Sequence, residues 1–128
     1  MTIVRTAIGV TPYAVTATIG RHTLTLDEPT SHGGQDAGPS PYEAVLAGLG
    51  ACSAITLRMY AERKQLTIRS LQIELSFHKE GERGVIRRIV HLDADLTPEQ
   101  RARFVDIIER TPVTLTLKNG SDIRTEFR

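Results

Sequence analysis

The chain contains no tryptophan and a single cysteine, Cys52, among its 128 residues. One cysteine cannot close an intramolecular disulfide, form a CxxC pair or supply a multi-thiolate zinc site. A lone free thiol persists best in a reducing compartment, so a cytoplasmic location is expected. Aromatics are scarce, with three Tyr and three Phe, which leaves few platforms for stacking nucleic-acid bases. An excess of one charge is also lacking: 16 Lys plus Arg stand against 15 Asp plus Glu, a formal net charge of +1. That balance gives no long-range field, so neither nucleic acid nor an anionic membrane is expected as a partner. No GxGxxG fingerprint occurs, and His22, His32, His78 and His91 include no pair at helical metal-ligand spacing. Neither a cofactor nor a metal is therefore expected. The first ten residues lack the charged head, apolar run and small-residue exit of a signal peptide. The most apolar stretch, residues 44–59, contains Arg58, Gly48 and Gly50 and reads as too short and too interrupted to span a bilayer.

What is present is ordinary for a globular protein: 40% hydrophobic and 24% charged residues, with 10 Gly and 6 Pro. The length fits one domain over residues 1–128 with a real core. Residues 1–26 read as three strands, with a turn at Gly20-Arg21-His22. Residues 27–39 show no periodicity, and a connection this long is usually functional or disordered. A helix is expected over residues 42–64, with Ser40 as cap, Pro41 in the first position and Glu43 completing a capping box. Its apolar residues lie on nearly every face, the mark of a buried helix. One small chain can hardly wrap such a helix, so a second chain is expected to cover part of it.

Leu71, Ile73, Leu75 and Phe77 alternate with polar residues, as in a half-buried strand. A turn at residues 81–84 leads to a second strand through Val90, Leu92 and Ala94. Thr97 and Gln100 form another capping box before a short helix, which Pro112 ends. Val113, Leu115 and Leu117 alternate with threonines, Asn119-Gly120 is a hairpin signal, and residues 123–127 return as a last strand. The predicted order is βββ-α-ββ-α-ββ, an α+β fold.

Three residues are candidates for chemistry. Cys52 lies in Gly48-Leu49-Gly50-Ala51-Cys52-Ser53, where the glycines allow a kink or a fresh helix start. A thiol at a helix start sees the positive end of the macrodipole, which favours thiolate. The structural alternative is a small buried hydrophobe. Glu43 is a candidate carboxylate, or simply a capping-box residue. The two are nine residues apart, half a turn out of phase on an unbroken helix. They meet only if the helix breaks or if they face each other across chains. Arg21 is a candidate cation, or a solvated hairpin tip. Arg87-Arg88 reads as a surface pair.

Asp27-Glu28-Pro29, Gly33-Gly34, the run Gly38-Pro39-Ser40-Pro41-Tyr42-Glu43, Leu49-Gly50-Ala51-Cys52-Ser53 and Thr56 through Lys64 resemble the OsmC/Ohr family. The likeness is to the OsmC-like branch and runs along essentially the whole chain. It implies an OsmC-like fold, with antiparallel sheets wrapped around long central helices in an intertwined, cytoplasmic homodimer. It also implies osmotically inducible peroxide detoxification under oxidative stress. In that family a peroxidatic cysteine is resolved by a second one in a Cys-Pro-Val-His motif, and a glutamate and an arginine hold the thiolate. Cys52, Glu43 and, more loosely, Arg21 match those positions as catalytic residues. Thr111-Pro112-Val113-Thr114 departs from the motif, because Thr111 replaces the resolving cysteine and Thr114 the histidine. The implied function is a thiol peroxidase whose partners are an organic hydroperoxide substrate and an external thiol reductant. The alternative is a non-catalytic dimeric small-molecule-binding protein that kept the fold.

Overall fold

Glycines with positive φ close two tight hairpins among the described residues. Gly20 (φ 59°) lies between β2 (Val15–Ile19) and β3 (His22–Leu26), and Gly81 (φ 63°) between β4 (Ile68–Glu80) and β5 (Arg83–Ala94). The structure is a computed structural model that describes residues 2–128. It divides into two compact units, residues 1–46 and residues 47–128.

The first unit is an antiparallel sheet in the order β1-β2-β3, where β1 is Val4–Ile8. The loop after β3 is ordered, so of the two alternatives for residues 27–39, functional or disordered, disorder does not hold. Asp27, 2% exposed, accepts backbone N–H bonds from Glu28 (2.8 Å), Gln35 (3.2 Å) and Ala37 (3.1 Å). Gly34 and Gly38 let the backbone of this loop close on its neighbours. A Cβ on Gly34 would collide with the Glu28 carbonyl oxygen, and one on Gly38 with that of Thr25. Burial disfavours the Asp27 charge, but the three N–H donors outweigh it and hold the carboxyl below its ordinary range.

Helix α1 runs unbroken from Pro41 to Arg63. Its capping box is formed: the Ser40 N–H donates to Glu43 Oε1 (2.9 Å) and the Glu43 N–H to Ser40 Oγ (3.4 Å). Neither Gly48 nor Gly50 breaks it, so the kink or fresh helix start that these glycines allow is not used. Gly50 instead permits close packing on β4, since a Cβ there would stand 2.8 Å from Leu75 Cδ1. With its 23 residues, α1 is long and apolar enough to cross a membrane. The stretch 44–59, expected to be too short and too interrupted, lies inside this longer unbroken helix, which meets that criterion by length and composition alone, as the core helix of a soluble protein also does.

In the second unit β4 and β5 pair from Ile68↔Ala94 to Glu80↔Arg83, with one irregularity between Ile68 and Ser70. Leu71, Ile73, Leu75 and Phe77 share one face with their partners Leu92, Val90, Arg88 and Ile86. Helix α2 (Pro98–Ile108) starts at the predicted Thr97–Gln100 capping box, formed by bonds of 2.9 and 3.2 Å. The core is Leu57, Ala61, Ile68, Phe104 and Ile108, with Tyr60 edge-on to Phe104 at 5.6 Å.

The predicted final pair of strands is not formed. Residues 112–119 are a helix, α3 (Pro112–Asn119), and residues 121–128 have no regular structure. Three local features decide this against the apolar–Thr alternation. Thr111 takes the extended cap conformation and Pro112 the first helical position. The buried pair is Thr111 and Thr114, three residues apart, while Leu115 and Leu117 are exposed. Gly120, at φ 73°, closes the helix rather than a hairpin; an Asn-Gly pair suits both uses.

Candidate functional site

The residues that sequence singled out are each placed by a different device. Arg21 sits at the β2–β3 turn, is exposed, and makes no hydrogen bond or ion pair among the described residues. Glu43 caps α1 through Ser40, whose N–H and hydroxyl hold the carboxyl below its ordinary range. Cys52 is a free, half-buried thiol. It is the twelfth residue of an unbroken helix of 23. The macrodipole acts within the first turn, so the helix-start argument for a thiolate does not hold. Nine residues at about 1.5 Å each put Cys52 roughly 13.5 Å along the helix from Glu43, and half a turn out of phase. Glu43 and Cys52 of one chain therefore do not face each other.

The residue that sequence reasoning placed on the surface is the best-bonded side chain of the second unit. Arg88, 12% exposed at its side chain, donates from Nη1 to Ser53 Oγ and to Thr114 Oγ1, both at 2.9 Å, and from Nη2 to the Ile108 carbonyl at 3.1 Å. Ser53 Oγ donates in turn to the Leu49 carbonyl (2.7 Å), and Thr111 and Thr114 share a hydroxyl–hydroxyl bond of 2.6 Å. Ser53, Thr111 and Thr114 are 0%, 1% and 5% exposed, and no buried side-chain polar atom among the described residues lacks a partner. This satisfied network ties α1 to β5, to the end of α2 and to α3. Thr111 is thereby joined, through two side chains, to the residue that follows Cys52. The signal for Arg88 was present: extending the alternation of Val90 and Leu92 backwards puts residue 88 on the inner face.

Glu109 lies 3.6 Å from Arg88 Nη2 and 2.7 Å from Lys118 Nζ. The Lys118 bond, opposed by partial burial, keeps its carboxyl below the ordinary range. His78 pairs with Glu80 and His91 with Glu74, each at 3.2 Å on exposed positions. No group of three or more His, Cys, Asp or Glu among the described residues could hold a metal ion.

These features define an α+β protein with a three-stranded meander, a long helix carrying one thiol, and a buried arginine–hydroxyl network against that helix. A model of the OsmC-like protein family matches residues 33–126, and the chain belongs to that family. The fold agrees with solved structures. An OsmC-like protein from Mycoplasma pneumoniae superposes with a TM-score of 0.77 at 21% identity, covering 92% of this chain and 87% of that one. An organic hydroperoxide resistance protein OsmC from Legionella pneumophila gives 0.65 at 21% identity, covering 92% and 89%. An OsmC-like hydroperoxide resistance protein from Jannaschia gives 0.57 at 19% identity, covering 99% and 91%. At these identities the likeness is one of fold. A comparison with curated proteins gave no match.

Proposed function

We propose that this chain reduces organic hydroperoxides at Cys52 and is recycled by an external thiol. The observation that carries the reading is the family match across residues 33–126, with the only cysteine of the chain on the long helix. The names of the Legionella and Jannaschia proteins support the substrate class. The Cys52 thiolate attacks the hydroperoxide oxygen; an S–O bond forms, the O–O bond breaks and the alcohol leaves. The sulfenic acid then needs a thiol. Thr111 replaces the family's second cysteine, so an added thiol attacks the sulfur, forms a mixed disulfide and releases water. A second thiol frees Cys52 and leaves as the symmetric disulfide.

The working form in this proposal is a homodimer. Cys52 receives Arg21 as its cationic partner, and Glu43 orients that guanidinium. The unbroken helix supports a source in a second copy, because Glu43 and Cys52 of one chain point apart. Ile55 and Met59, 53% and 65% exposed on α1, supply apolar surface for the second copy to cover.

The test is consumption of cumene hydroperoxide with a small thiol by the wild type and by Cys52→Ser. Consumption lost in the variant supports the proposal. Equal rates overturn it, and no consumption by either protein overturns it in favour of a dimeric binding protein of the same fold.

A further inference from the structure

The Arg88 network forms one wall of a cavity of about 350 Å³ in the second unit, a volume in the range of small-ligand sites. Cys52 does not line it, so a ligand held there is independent of the peroxidase reading. Its charged groups are unbalanced. Arg83, Arg88 and Lys118 face the cavity with Glu109 as the one carboxylate. Glu109 is shared between Lys118 and Arg88. The Arg83 side chain has no hydrogen-bond or ion-pair partner among the described residues. Two positive charges are thus left over around a concave site, where low-dielectric walls strengthen their field. The remaining wall is apolar, with Leu49, Ile86 and Leu117.

We propose that this cavity binds a small amphipathic carboxylate. Arg83 takes the acid head, with Lys118 beside it, and the aliphatic body lies on Leu49, Ile86 and Leu117. Arg88 is a positioning residue: its Nη donors are spent on Ser53, Thr114 and Ile108, and it contributes charge from behind. Charge and apolar surface are both needed, so neither an alcohol of the same length nor an inorganic anion should match the acid.

Isothermal titration of the full-length wild type with octanoate, octanol and inorganic phosphate tests this. Octanoate should bind, with affinity falling as salt rises, and octanol and phosphate should each bind at least about tenfold more weakly. Arg83→Gln should cost about tenfold in octanoate affinity while leaving the unfolding midpoint unchanged, because the substitution keeps the backbone pairing with Glu80 and the Arg83 side chain makes no bond that the fold uses. Leu117→Asn should weaken octanoate without changing the residual phosphate affinity. Absence of octanoate binding, equal binding of octanol, or unchanged affinity in Arg83→Gln would each overturn the proposal.

Discussion

Removing the Arg88 guanidinium and the Ser53 hydroxyl, singly and together, reads out what the buried network contributes. Arg88 donates three hydrogen bonds of 2.9 to 3.1 Å, and bonds from a charged donor are worth about 1.5–3 kcal/mol each when considered alone. Their sum overstates Arg88→Met. The Ser53 hydroxyl keeps its bond to Leu49, and Thr114 keeps Thr111 and a 3.3 Å bond to the Ile108 carbonyl. No hydroxyl is orphaned, and the cost of holding a charge away from water is removed. The expected loss is about 1–3 kcal/mol. Ser53→Ala leaves one guanidinium N–H buried with one acceptor fewer, again about 1–3 kcal/mol. Once Arg88 is gone, that second change should cost almost nothing. Urea unfolding of the four proteins should therefore give a double mutant more stable than the sum of the singles by about 1 kcal/mol or more. Additivity within about 0.5 kcal/mol would refute the network as an energetic unit.

The core, the β3–α1 loop and the position of Thr111 each carry a further test. Leu57→Ala, at a site 1% exposed in the second unit's core, should lower unfolding stability by about 2–5 kcal/mol; a loss below about 1 kcal/mol would show that this core is not tightly packed. Asp27 has a lowered carboxyl pKa, so its stabilisation is complete above the ordinary carboxyl range near pH ~4 and is lost as pH falls through the lower folded value. The stability gap between wild type and Asp27→Asn should hold at neutral pH and close on acidification; a gap independent of pH would contradict the charge-based account. Thr111→Cys should yield a disulfide between Cys52 and the introduced thiol after one equivalent of hydroperoxide, read as loss of both titratable thiols. Two thiols still titratable would show that position 111 does not reach Cys52.

The elements with strong local chemistry were legible in the sequence. Both capping boxes, the Gly20 turn and the apolar alternation of β4 are set by neighbouring residues, and all are formed. The family was legible from the motifs between Asp27 and Lys64, and the match over residues 33–126 agrees with it. Long-range polar contacts were not legible. The strand alternation places Arg88 on the inner face, but its acceptors come from α1, α2 and α3. The same contacts bury Thr111 and Thr114 and override the β-like pattern of residues 113–117. Asp27 is similar: nothing local announces that a carboxylate will collect N–H donors from residues eight and ten positions away.

Whether Cys52 is the redox centre is tested most directly by mass spectrometry of the full-length protein after one equivalent of cumene hydroperoxide, with and without a small thiol. One added oxygen is expected on the Cys52 peptide without thiol, and a mixed disulfide or the free thiol when thiol is present. A Cys52 that stays unmodified while the hydroperoxide persists would contradict that role.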